Sequence, residues 1–219
     1  MSRLCTAREW EIEQKAADWV DALRRCREDA ELRAISELEQ LPIDPSAVAI
    51  QLGLQFEEVE EFSSDQIRGA LVNGTIIRPA RLSPEVRYTV AHEVGHKVLH
   101  DGSFHLRQKG SRLVGAQRAP RPEAEIEAER FAAALLMPRK LVKVVFERCF
   151  GGPIDGRQPN DDLDQLLNSR LGRRTPRDRA RLVATAKSFG LEQFNPLIRV
   201  FDISVEAMAI RLQELELVL

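Results

Sequence analysis

The sequence predicts an α+β protein, mostly helical, with a small antiparallel sheet packed beside one central helix and a helical C-terminal part. Three observations carry that prediction. The stretch before Pro42 has no glycine or proline and repeats apolar residues at helical spacing. Asn73-Gly74 lies between two β-prone runs. Beyond them, Ser83-Pro84, Pro122, Thr175-Pro176, Asn195-Pro196 and Ser204 each read as a helix start.

Each element has a local cause. Ile12, Ala16, Trp19, Val20 and Leu23, then Leu32, Ile35 and Leu38, form apolar stripes on one long helix or two consecutive ones. Asp44 or Ser46 caps a short helix that ends at Gly53, where a left-handed residue costs least. Leu54, Phe56 and Val59 mark a strand. Ile67–Val72 and Thr75–Arg78 form a hairpin, since a type I′ turn needs positive φ at two successive residues and Asn-Gly supplies both. Ser83 caps, and Pro84 opens, a helix that runs to His100 and stops before Asp101-Gly102. A basic segment follows, with Arg107, Lys109, Arg112, Arg118 and Arg121. The helix from Pro122 must end or kink at Met137-Pro138. Gly151-Gly152-Pro153 through Asn160 is a loop. The chain therefore divides into an N-terminal helical arm at 1–41, a core at 42–150 and a helical C-terminal subdomain at 151–219.

Composition narrows the class. Of 219 residues, 43% are hydrophobic and 30% charged, and the formal net charge is −2. Such a balance excludes a protein that coats nucleic acid by bulk charge. The longest apolar run, Phe131 to Met137, is far short of the roughly 20 residues that cross a bilayer. The N-terminal residues lack the apolar stretch of a secretory signal, and Cys5, Cys26 and Cys149 form no Cys-x-x-Cys pair. Free thiols and a cytoplasmic location are the expectation.

The chemistry concentrates in one place. All four histidines, His92, His96, His100 and His105, lie between positions 92 and 105. His92-Glu93-Val94-Gly95-His96 falls on the Pro84 helix, so His92 and His96 project one turn apart from one face and both reach a single ion. Glu93, rotated by about 100°, borders the metal without binding it and is placed to move a proton from water to a leaving amine. His100 lies about 12 Å along the axis from His92, too far to join one ion, and reads as a supporting or helix-end residue. His105 is a weaker alternative ligand. The third ligand comes from the next helix, where Glu125 and Glu129 share a face beside an apolar side. One binds the metal and the other holds a histidine ring. Glu123 and Glu127 read as a solvated acidic helix start. Tyr88, a turn before His92, reads as packing, and the edge of the Asn73-Gly74 hairpin is available to take a substrate as an added strand.

Arg87-Tyr88-Thr89-Val90-Ala91-His92-Glu93-Val94-Gly95-His96-Lys97-Val98-Leu99-His100 resembles the signature helix of the ImmA/IrrE family metallopeptidases. The block from Glu125 to Pro138 is similar to their second motif. The Pro42–Gly53 helix, the hairpin and the ending Phe201–Leu212 add to the likeness, whereas residues 1–41 match nothing in it. The resemblance implies a zincin-like, gluzincin-type core. In it His92, His96 and Glu125 hold Zn2+ or another divalent ion, Glu93 catalyses, and Glu129 and His100 support the ligands. Glu129 stands where the family usually carries Asn or Asp. The resemblance further implies an endopeptidase that cuts a helix-turn-helix transcriptional repressor, relieving repression of stress, mobile-element or defence genes, with DNA as a possible activator.

A competing reading is a DNA-binding or DNA-sensing regulator with a structural metal site. It rests on the Arg107–Arg121 run, on Arg170, Arg173, Arg174, Arg177, Arg179 and Arg181, and on a helix pair joined near Asp202-Ile203-Ser204. No aromatic residue interleaves that arginine cluster, so solvated helix faces explain it more simply.

Overall fold

The structure is a computed structural model, described over residues 6–28, 41–60, 67–81, 83–100, 104–108, 122–155 and 175–219. The α+β class holds, with helices dominating a small sheet. By its internal contacts the chain forms two compact units. One takes in the N-terminal helix and Ile43–Leu136; the other is built on Met137–Leu219. The contact boundary thus falls at 136/137, where the sequence reading draws it at 150.

In the first unit, α1 (Ala7–Glu28) buries Ile12, Ala16 and Val20, spaced four apart so that they share one face. α2 (Pro45–Gln51) is capped by Asp44, whose carboxylate accepts from the Ser46 amide at 2.9 Å. Gly53 follows it at φ +74°. Strand β1 (Gln55–Val59) and the hairpin strands β2 (Ile67–Val72) and β3 (Thr75–Pro79) form as expected. Asn73 and Gly74 turn between β2 and β3 at φ +48° and +81°.

Three expectations about the sheet change. It is mixed rather than antiparallel, because β1 lies parallel to β3, with Phe56 opposite Ile76. β2 runs antiparallel to β3 and hence to β1, so the chain reverses direction twice between β1 and β3 and brings them parallel. A fourth strand, β4 (Phe104–Gln108), pairs antiparallel with β2 in the segment read only as basic, giving the order β1-β3-β2-β4. Both hairpin strands are consequently interior. Neither can take an added strand, and the outer strands among the described residues are β1 and β4.

Helix α3 (Pro84–His100) begins with the Ser83 hydroxyl accepting from the Val86 amide at 3.3 Å. It packs against α2, β2, β3 and α4 (Glu123–Leu136), which is why residues 89 to 96 are buried without interruption. Gly69 on β2 makes room for Thr89: a Cβ there would lie 2.3 Å from the Thr89 Cγ2.

The second unit starts where Pro138, extended at φ −56° and ψ 131°, separates α4 from α5 (Arg139–Phe150). Phe150 meets the rings of Phe146, Phe189 and Phe194. Buried Cys149 has its thiol pushed up by desolvation, which keeps it protonated. α6 (Pro176–Thr185) opens with a Thr175/Asp178 capping box. A short hairpin follows, β5 (Ser188–Phe189) and β6 (Glu192–Gln193), then α7 (Leu197–Val200) and α8 (Val205–Glu214). Arg211 is buried and donates to the Met137 carbonyl at 3.1 Å, tying α8 to the start of the unit.

The arginines of the competing reading have local work where they are described. Arg177 and Arg181 grip Glu206 from α6 at 2.6 and 2.8 Å, holding α8. Arg179 donates to the Leu219 oxygen at 2.6 Å. α7, one turn long, precedes the Asp202-Ile203-Ser204 corner, which is too little helix for a helix-turn-helix pair. Arg112, Arg118, Arg121, Arg170, Arg173 and Arg174 lie outside the described residues, as do residues 29–40 of the expected N-terminal helices and the loop from 156 to 160.

Candidate metal centre

The centre is assembled by two helices, and a glycine sets their separation. A Cβ on Gly95 would sit 3.1 Å from both the Cα and the carbonyl oxygen of Ala128, and 3.2 Å from the Phe131 Cβ. α4 therefore lies against the backbone of α3 at Gly95. That approach brings Glu125, one turn before Ala128, over the histidine face of α3.

Three donor groups converge there. His92 Nε2 and His96 Nε2 are 3.0 Å apart, with their rings nearly perpendicular at 84°. Glu125 Oε2 lies 3.3 Å from His92 Nε2, and its Oε1 lies 3.2 Å from His96 Nε2. An ion with tetrahedral bonds of roughly 2.0–2.1 Å separates its ligand atoms by about 3.3 Å. The three residues thus form a triangle whose closest approaches, taken to one Glu125 oxygen for each histidine, are near the ligand spacing of such a shell. Two imidazole nitrogens and a carboxylate oxygen are also a donor set suited to a divalent metal. Both histidines are buried, while Glu125 is 26% exposed, so the triangle opens on the carboxylate side. Hydrogen bonds to His92 and His96 hold the Glu125 carboxyl well below the usual carboxylate range.

The other expected residues fall in different places. Glu93 is fully buried beside the histidines on α3. Glu129 is half-buried on α4, and its backbone carbonyl accepts from the Tyr88 hydroxyl at 3.0 Å, so Tyr88 ties α3 to α4. The His100 ring stands 5.7 Å from that of His96, and its Nε2 is 3.5 Å from Glu127 Oε2. His105 is on β4 opposite Leu71.

Glu127 is the residue that sequence reasoning misplaced. It is not a solvated helix-start residue but buried, and Arg8 of α1 grips it through two bonds of 2.5 and 2.8 Å. The guanidinium lowers its carboxyl below the ordinary value. A signal was available. Glu127, Phe131 and Ala134 stand at i, i+4 and i+7, which places the carboxylate on the buried stripe.

Residues 54–149 match the sequence profile of the M78 peptidase family, described as an IrrE N-terminal-like domain. That span contains the sheet, α3, α4 and the whole donor triangle. No curated protein matches the chain.

Proposed function

We propose that this chain, whose residues 54–149 form a metallopeptidase domain of the ImmA/IrrE type, is a zinc endopeptidase that cleaves one specific protein substrate, a helix-turn-helix transcriptional repressor. His92, His96 and Glu125 are its metal ligands and Glu93 its general base. The observation that carries the reading is the convergence of His92, His96 and Glu125, with closest approaches of 3.0, 3.2 and 3.3 Å and a different Glu125 oxygen facing each histidine, beside a buried glutamate. A helix could present two histidines for packing alone. A carboxylate from a second helix that faces both ring nitrogens completes a donor set suited to a metal.

When bound, a divalent ion there supplies Lewis acidity toward the scissile carbonyl and lowers the pKa of an attacking water. Glu93 accepts the proton that this water gives up, holds it during attack on the carbonyl carbon, and delivers it to the departing amine nitrogen as the C–N bond breaks. Its burial strengthens its interaction with developing charge, because little water screens it. His92 and His96 bind through Nε2, and Glu125 offsets part of the ion's charge while staying ionised over the whole physiological range.

The repressor rests on the family likeness, and the cytoplasmic setting on cysteines whose number and spacing suit free thiols rather than disulfides. Among the described residues no helix is long and apolar enough to cross a membrane. The test is to express wild type and Glu93→Gln in the native host, apply DNA damage, and map new protein N-termini. A cleaved transcriptional repressor found only with wild type supports the reading. Identical sets of termini, with metal confirmed in both proteins, refute it for that trigger and favour a non-catalytic metal-binding regulator.

A further inference from the structure

We infer that Arg8, on the N-terminal helix, is a positioning residue for the metal centre, acting through Glu127 on His100 and through α4 on Glu125. This rests on the reading of His92, His96 and Glu125 as metal ligands. Arg8 presents Nε and Nη2 to the two oxygens of Glu127, a fork-on-carboxylate geometry that fixes both partners in angle as well as distance. The Glu127 oxygen that receives Nη2 also faces His100 Nε2 at 3.5 Å, and the His100 ring backs onto that of His96. One carboxylate thus bonds α1 to α4 and lies beside the end of α3, immediately behind the ligand set.

A second pair braces the same two helices. Glu9, the next residue of α1, pairs with Arg130 of α4. Between them these pairs straddle α4 a turn beyond Glu125, and the apolar face of Ile12, Ala16 and Val20 continues the α1 packing. Glu127 is nearly buried, its side chain 10% exposed, whereas Arg8 is 41% exposed. Removing the arginine therefore leaves a carboxylate with little water to replace it, and that carboxylate's freest response is to turn toward His100. Metal sites are sensitive to such partners: losing one outside the ligand set typically weakens metal binding by about 10- to 100-fold. The N-terminal helix is on this account part of the catalytic unit and not a detachable arm.

The test measures metal binding directly. Zinc affinity is read by competition with a chromophoric chelator, and the ligand geometry by the visible absorption of the cobalt(II)-substituted protein. The full chains compared are wild type, Arg8→Met, Arg8→Lys, Glu11→Gln and His92→Ala, with melting of each metal-free form alongside. Arg8→Met is expected to weaken zinc by about 10- to 100-fold and shift the cobalt bands. Arg8→Lys should recover part of the affinity. Glu11→Gln, which weakens the surface pairs of Glu11 with Arg8 at 2.9 Å and with Lys15 at 3.1 Å and leaves the Arg8–Glu127 fork in place, should bind as wild type does. Wild-type affinity and cobalt bands in Arg8→Met, with only its melting temperature lowered, would overturn the inference and leave Arg8 a stabilising residue. If Arg8→Met does not fold, unchanged affinity in Arg8→Lys together with unchanged cobalt bands overturns it equally. Failure of the underlying site reading looks different: wild type and His92→Ala would then bind zinc alike, or not at all.

Discussion

Replacing Gly95 by alanine tests whether helix separation sets the metal centre. The new Cβ would lie 3.1 Å from the Ala128 Cα and carbonyl oxygen and 3.2 Å from the Phe131 Cβ. Comfortable contacts between such atoms begin at about 3.4–3.5 Å, so α4 must give way by a few tenths of an ångström. Two stability effects then oppose each other. Overpacking costs about 1–3 kcal/mol, while alanine in place of glycine inside a helix returns about 1 kcal/mol. The fold should therefore lose between nothing and about 2 kcal/mol, and it should survive. Metal binding has less latitude, since ligand distances tolerate only about ±0.2 Å. With Glu125 carried away on α4, zinc affinity should fall by about 10- to 100-fold, or roughly 1.4–2.7 kcal/mol. Chelator competition reads the affinity, and denaturant unfolding of the metal-free protein reads the stability. The atoms in the way are chiefly backbone, so adding Ala128→Gly should give no rescue. Wild-type zinc affinity in Gly95→Ala would refute the argument, as would its recovery by Ala128→Gly.

Glu93→Gln should retain its metal while peptide-bond hydrolysis falls by about 100- to 10,000-fold; a turnover assay retaining more than a tenth of wild-type activity would remove Glu93 from the proton-transfer role. Gly69→Ala should cost about 1–3 kcal/mol in urea unfolding because its Cβ meets the Thr89 methyl, and Thr89→Ser should restore most of it while keeping the hydroxyl bond to the Glu85 carbonyl at 2.9 Å. Simple additivity of the two substitutions would show that the clash is relieved elsewhere. Acid sensitivity should trace to Glu127. Its folded carboxyl is lowered by Arg8, so its stabilisation is complete above the ordinary value of about 4.5 and disappears as pH falls through the lower folded value. Melting temperature plotted from pH 7 to 3 should drop less steeply for Glu127→Gln than for wild type, and parallel curves would contradict this.

What could be read from the sequence was whatever has a local cause. The Asn73-Gly74 turn, the Asp44, Ser83, Thr175 and Ser204 caps and the break at Pro138 depend on residues a few positions apart, and each is where it was expected. The His92–His96 spacing is likewise a property of one helix. Features that depend on distant partners were harder. Nothing in Gln55–Val59 says that it will lie parallel to β3. β4 alternates Phe104 and Leu106 with His105 and Arg107, a period-two pattern easily lost amid the basic residues around it. Glu127 has a carboxylate's preference for a helix start and also a place on the apolar stripe. The stripe prevails because Arg8, 119 residues away, supplies the partner that a buried carboxylate needs. Glu125 and Glu129 were equivalent by spacing, and the structure separates them: Glu125 reaches both histidine Nε2 atoms, whereas Glu129 joins Tyr88 through its backbone.

The central claim is that His92, His96 and Glu125 bind one metal ion that Glu93 does not hold. Native mass spectrometry of wild type, Glu125→Ala and Glu93→Gln, each loaded with zinc and desalted identically, tests it most directly. The account predicts one ion per chain in wild type and in Glu93→Gln, and none retained by Glu125→Ala. Equal retention by Glu125→Ala, or loss in Glu93→Gln alone, would contradict it.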